Sequence, residues 1–194
     1  MRQFLILITL CLLIGISHTT HSLAQNTSIG IKAAPLWTNI SNQTSGESMI
    51  GLRFGGFLTH SISTEFGVGG ELNFARKGGI NGANQAVKLD YLEVPILAHY
   101  FFGEGGFRPK IIAGPYFGYL LQAKRDGKVM ETYAQEDYGI MLGLGFHQRL
   151  GNKRWLYADL RYGHGLAEIL PNSDQSNREI SLNIGVSFPL NLPN

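Results

Sequence analysis

The chain has 194 residues, of which 44% are hydrophobic, 15% charged and 11% aromatic, with 25 glycines, one cysteine and a formal net charge of +2. That length suits one domain with a single core. So small a net charge excludes an electrostatic case for nucleic-acid binding, and the apolar content excludes a disordered chain. Many glycines and aromatics beside few charges are unusual for a soluble enzyme and point to strands.

The first element in chain order is an address. Arg2 precedes an apolar run from Phe4 to Ile16, and Ser22-Leu23-Ala24 places small residues where a signal peptidase reads, so cleavage before Gln25 is expected. The run is about 13 residues, short of the roughly 20 a spanning helix needs. Cys11 lies inside it, and Thr9-Leu10 is the wrong context for lipidation. Two domains of the precursor follow: residues 1–24 as signal and 25–194 as mature protein, without cysteine and so without disulfides or thiolate metal sites.

Eight segments of the mature chain then alternate with a period of two, which assigns each face of a strand its own environment. Ile29, Ile31 and Ala33 flank Lys32 in the first. The second sets Ile50, Leu52, Phe54, Gly56 and Leu58 against Gly51, Arg53, Gly55 and Phe57. The third sets Phe66, Val68, Gly70, Leu72 and Phe74 against Gly67, Gly69, Glu71 and Asn73; the fourth sets Leu92, Val94, Ile96, Ala98 and Tyr100 against Tyr91, Glu93, Pro95, Leu97 and His99. In the fifth, Ile111, Ala113, Pro115, Phe117, Tyr119 and Leu121 oppose Ile112, Gly114, Tyr116, Gly118 and Leu120, two faces hard to tell apart. The sixth has Tyr138, Ile140, Leu142, Leu144 and Phe146 against Asp137, Gly139, Met141, Gly143, Gly145 and His147. The seventh opposes Leu156, Ala158, Leu160 and Tyr162 to Tyr157, Asp159, Arg161 and Gly163, and the eighth Ile180, Leu182, Ile184, Val186 and Phe188 to Ser181, Asn183, Gly185 and Ser187.

The first-named faces carry no charged or amide side chain, whereas the opposite faces hold glycine, histidine and nearly all the strand charges. A water-soluble sandwich would turn its apolar faces inward and cover the outside with charge. An apolar exterior around a polar, glycine-rich interior is the pattern of a transmembrane barrel, which must close so that no edge amide faces lipid. The expected fold is therefore all-β: an eight-stranded antiparallel transmembrane β-barrel with up-and-down meander order. The gaps 38–48, 78–88, 123–136 and 167–178 read as long, polar, solvated loops, alternating with short turns at 59–64, 103–109 and 148–153. Short turns belong in the periplasm and long loops outside, which predicts a periplasmic N-terminus in the outer membrane. Pro95 and Pro115 each remove a ladder donor, so a local bulge or an end-of-ladder position is expected at each.

Gly30-Ile31-Lys32, Tyr91-Leu92-Glu93-Val94-Pro95-Ile96-Leu97, Ala113-Gly114-Pro115-Tyr116 and Arg161-Tyr162-Gly163-His164-Gly165-Leu166, in that order and spacing, resemble the small outer-membrane β-barrel domain family, porin-like or PorT-like, of Gram-negative bacteria. The resemblance spans the mature chain. It implies an integral outer-membrane barrel and no defined activity. One departure is the tail: Phe188 is followed by Pro-Leu-Asn-Leu-Pro-Asn, where such chains usually finish on an aromatic residue. Either the insertion signal tolerates a tail or the last strand ends elsewhere.

Near mid-strand the polar faces bring three cations, Lys32, Arg53 and Arg161, toward three anions, Glu71, Glu93 and Asp159, with Tyr91, Tyr116, His99 and His147 around them. An eight-stranded barrel is just wide enough for side chains to fill, so a salt-bridged polar plug is expected in the lumen, a small channel or ligand-binding barrel being the alternative. No catalytic set is expected. His60-Ser61 with Ser63 falls in a turn, and His164 near Glu168 has no adjoining serine. His60, His99, His147 and His164 have no metal-ligand spacing, and no cofactor is implied. The expected partners are outer-membrane lipids and lipopolysaccharide, the barrel-insertion machinery, and a protein or glycan at the surface loops. The barrel is expected to be a monomer, without enzymatic activity and with a structural, surface-interaction or envelope- and secretion-accessory role.

Overall fold

A computed structural model describes residues 27–41, 47–81, 83–151, 154–171 and 173–190. The alternating segments become eight strands: β1 (Thr27–Ile40), β2 (Glu47–Ser61), β3 (Phe66–Ile80), β4 (Ala86–Phe101), β5 (Phe107–Arg125), β6 (Glu136–Arg149), β7 (Trp155–Gly165) and β8 (Asn177–Pro189). Each pairs antiparallel with its neighbours in sequence, and β1 pairs with β8 from Ser28↔Pro189 to Ile40↔Asn177, which closes the barrel. Lys128–Val129 folds back on the end of β5 through Asp126-Gly127, whose φ angles of 47° and 80° make the tight turn that an Asp-Gly pair favours. The segment 1–24, with its cleavage site and Cys11, lies outside the described residues, as do Asn152 and the last four residues of the tail.

The side chains sort as a membrane barrel requires. Ile31 and Ile50 are 67% and 73% exposed on the outer wall, while Arg53 and Glu93 are fully buried inside. Phe54 and Phe74 pack across β2 and β3 on that wall with ring centroids 5.2 Å apart. On β5, whose faces were ambiguous, Ile111, Phe117, Tyr119 and Leu121 point out and Ile112 and Tyr116 point in. Phe188 sits on the outer wall one residue before β8 ends, opposite Ile29.

Expectations at the connections and at the prolines need correction. The connections over 38–48 and 78–88 are not long loops: β1 runs to Ile40 and β2 starts at Glu47, leaving residues 41–46, and β3 runs to Ile80 and β4 starts at Ala86, leaving residues 81–85. Gly78 lets β3 continue, because its φ of 142° suits no L side chain and a Cβ there would lie 1.9 Å from the Val87 carbonyl oxygen. Asn81 then closes the turn, its Oδ1 accepting from the backbone N–H of Ala83 (3.1 Å) and Gln85 (2.8 Å). Long and short connections therefore do not alternate strictly.

The prolines are accommodated without a bulge. The β3–β4 ladder passes from Gly70↔Ile96 to Asn73↔Glu93 across Pro95, and the β4–β5 ladder from Pro95↔Tyr116 to Ala98↔Ala113 across Pro115; both resume in the same register. Each proline lacks one N–H, which interrupts one ladder on one side only, and the flanking pairs hold the alignment. Pro35 interrupts the β1–β8 ladder in the same way. Register shifts occur elsewhere, at Asp90/Tyr91 in the β4–β5 pair and between Ser48 and Leu52 in the β2–β3 pair.

Candidate functional site

The barrel has a turn end, where residues 62–65, 102–106 and 150–154 connect strands, and a loop end carrying the other connections. Between them the inward positions of all eight strands build one charged column in two parts.

In the part nearer the turns, Glu71 on β3 is the hub. Its Oε2 accepts from Lys32 Nζ on β1 and from Asn73 Nδ2 at 3.1 Å, and its Oε1 accepts from Arg161 Nη1 at 2.9 Å. Arg161 and Asp159 are two residues apart on β7, so alternation puts both inside, and Nε and Nη2 donate to the two carboxylate oxygens at 2.6 and 3.1 Å. Lys110 on β5 completes the group, its Nζ 3.3 Å from Asp159 Oδ2 and 3.3 Å from His147 Nε2. His99 lies beside it, stacked on Phe101 at 6.0 Å.

In the part nearer the loops, Arg53 on β2 donates through Nε and Nη2 to Glu93 Oε2 (3.0 and 2.6 Å) and through Nη2 to Glu179 Oε1 (2.5 Å). Lys77 Nζ sits among three carboxylates, 2.5 Å from Glu93 Oε1, 3.2 Å from Asp137 Oδ2 and 3.4 Å from Glu179 Oε2. The Tyr116 ring lies 4.3 Å from the same ammonium, and the Tyr116 hydroxyl donates to Asp137 at 3.3 Å. Asn177 ties Asp137 to Tyr91 through Nδ2, at 3.1 and 3.3 Å.

Thus Lys32, Arg53, Glu71, Glu93, Asp159 and Arg161 all face the lumen. Tyr91 and Tyr116 stand with the group at the loop side, His99 and His147 with the group at the turn side. Sequence reasoning missed Lys77, Lys110 and Glu179, and placed Asp137 on the polar face without drawing it into the network. Lys77, Lys110 and Glu179 each sit one inward step beyond the segment as read (past Ala75, before Ile112, before Ser181). Continuing the alternation by two residues would have found them.

In the part nearer the loops side chains fill the barrel: Arg53, Lys77, Glu93 and Ser181 have 0% exposure, so no water-sized space adjoins them. Above them is an apolar stopper. Tyr133 from the β5–β6 connection and Ile169 from the β7–β8 connection pack on Ile40, Val87, Leu89, Tyr91 and Ala123. The Ala134 N–H donates to the Ile169 carbonyl (2.9 Å), and Ser41 N–H to the Ser176 carbonyl (2.8 Å), which binds the connections to each other. The loops read as solvated therefore fold inward, because their few apolar residues have the barrel mouth to cover. Below the column, at the turn end, a vestibule of about 190 Å³ opens between Ser28, Ser61, Phe101, Arg108, His147 and Trp155.

The hydrolase-like residues do not assemble. His60 Nδ1 pairs with the Thr27 hydroxyl (3.0 Å), while Ser63 Oγ serves its own turn, bonded to Glu65 and to the Phe66 N–H. His164 Nδ1 meets only the Tyr162 hydroxyl among its described hydrogen bonds. Among the described residues no group of three His, Cys, Asp or Glu side chains is placed to hold a metal ion.

The sequence matches the family described as outer membrane protein beta-barrel domain over residues 17–170. Among solved structures, the fold is similar to that of Neisserial surface protein A, with a TM-score of 0.61 at 16% identity over 84% of this chain and 96% of that one. It is also similar to OprG of Pseudomonas aeruginosa (TM-score 0.56, 13% identity, 86% of this chain and 96% of that one). A third is Ail, the attachment invasion locus protein of Yersinia pestis (0.51, 14% identity, 86% and 100%). At such identities the likeness is one of fold. No curated protein sequence matches the chain.

Proposed function

Because the chain belongs to the outer membrane protein β-barrel domain family, we propose that it is a sealed, non-enzymatic barrel of the outer membrane that works through the surface its loop end presents. The observation that carries this reading is the closed column: ten buried charges and an apolar stopper leave the lumen nothing to conduct or process. Residues 25–194 are the mature barrel, inserted after export with the turn end in the periplasm, as short connections favour. Around Ser41, Ala134, Ile169 and Ser176 the described part of the loop end is held, because backbone hydrogen bonds join the connections there. A fixed surface loses less conformational entropy on binding than free loops do. In this reading the lumen network is a structural plug, and outer-leaflet lipids with a protein or glycan at the loops are the partners.

Photo-crosslinkers at Glu131 and Asp174, exposed on the loop end, and at Glu104, on a turn, test this in intact cells. Discrete adducts of one identified protein or glycan from the loop positions alone support the reading. Adducts only from Glu104, or from none of the three, refute it. The second reading is a ligand-binding barrel, which the vestibule at the turn end favours.

A further inference from the structure

Among the described residues the ion pairs nearer the turns border an unfilled space: a cavity of about 10 Å³, room for a single water-sized occupant. Thr59, Gly69, His99, Lys110, Tyr157 and Arg161 line it, with His147 at its side. Among the described residues two buried polar atoms on lining side chains have no hydrogen-bond partner, the Tyr157 hydroxyl and His99 Nδ1, although their residues are only 2% and 5% exposed. Buried polar atoms of native proteins are nearly always paired, so two orphans on side chains that line one cavity point to an occupant.

The surroundings decide its charge. Glu71 is the one carboxylate in the lining, and both its oxygens are engaged by Arg161, Lys32 and Asn73. In this part of the column three cations (Lys32, Lys110, Arg161) face two anions (Glu71, Asp159), whereas nearer the loops two cations face three anions. One formal positive charge is in excess beside the cavity. The space itself exists because residue 69 has no side chain: a Cβ there would stand 3.0 Å from His99 Nε2 and 3.2 Å from Thr59 Oγ1. Thr59 and His147 also line the vestibule, which gives access from the turn end.

We propose that this cavity is a site for a single halide ion, chloride in the cell, held by Lys110 Nζ, the Tyr157 O–H and the His99 ring. The site answers the local charge excess and the two orphaned atoms together. A polyatomic anion such as sulfate or phosphate exceeds the space. The assignment is independent of what the loop end binds.

Two measurements on the full barrel in detergent test it. The first is the anomalous signal of crystals grown in bromide; the second is the saturable broadening of the chloride NMR line, with bromide or sulfate as competitor. The expected results are one bromide peak between Lys110, Tyr157 and His99, and broadening that bromide reverses and sulfate does not. Gly69→Ala fills the cavity without removing a charge and should abolish both signals in a barrel that still shows heat-modifiable migration. Tyr157→Phe keeps the shape, removes one donor and should weaken chloride binding by roughly tenfold, which decides the matter should Gly69→Ala not fold. Water alone in the cavity of bromide crystals overturns the proposal, as does halide binding unchanged in the variants.

Discussion

Replacing Arg53 by methionine probes the dryness of the column most sharply. The guanidinium is fully buried and is shared by two carboxylates, with contacts of 2.6 Å to Glu93 and 2.5 Å to Glu179. Its loss leaves Glu93, Glu179 and Asp137 around Lys77 alone. Breaking one buried pair by removing a partner costs about 3–5 kcal/mol, because the remaining charge stays desolvated. Two carboxylates lose a partner here, so Arg53→Met is expected at the top of that range or beyond. Adding Glu179→Gln removes one of the abandoned charges, and the double variant should recover about 1–3 kcal/mol of the loss. Guanidinium unfolding in lipid vesicles, followed by the mobility difference between folded and unfolded barrel, measures both. A single variant within about 0.5 kcal/mol of wild type, or a double variant less stable than the single, would refute the reasoning: water would then be solvating the column.

Three further outcomes follow from particular contacts. Gly114→Ala should destabilise the barrel far more than Gly70→Ala, since a Cβ at 114 would lie 2.0 Å from the Ile96 carbonyl oxygen and one at 70 meets nothing within 4 Å; folded fractions in detergent compare them. Ile169→Ala removes the 1%-exposed side chain of the stopper and should cost about 2–5 kcal/mol, with added protease cleavage within 166–176. Leu142→Arg places a charge mid-strand on the outer wall, where Leu142 is 53% exposed, and should cost about 2–4 kcal/mol in vesicles.

The wall was legible because lipid and lumen impose opposite chemistry on successive residues, and the eight alternating segments became the eight strands. The ends were not. Lys77, Lys110 and Glu179 continue the alternation past Ala75, Ile112 and Ser181, but glycines 78 and 79 look like a turn, and only the pairing with β4 shows that β3 runs on. The stopper was illegible for another reason. Tyr133 and Ile169 are lone apolar residues in polar segments, with no period to reveal them, and they meet only after the barrel has closed. Pro95 and Pro115 were correctly suspect as ladder breakers, yet sequence could not say that the register on either side would survive. The ion-pair geometry was equally beyond it, because Arg53 and Glu179 meet across 126 residues of chain.

Planar-bilayer recording of the purified barrel tests most directly whether the lumen is sealed. A sealed lumen gives no unitary current steps from the wild-type protein at potentials the bilayer tolerates, inserted barrel being verified by its heat-modifiable band. Regular, reproducible unitary steps from that same preparation would contradict it.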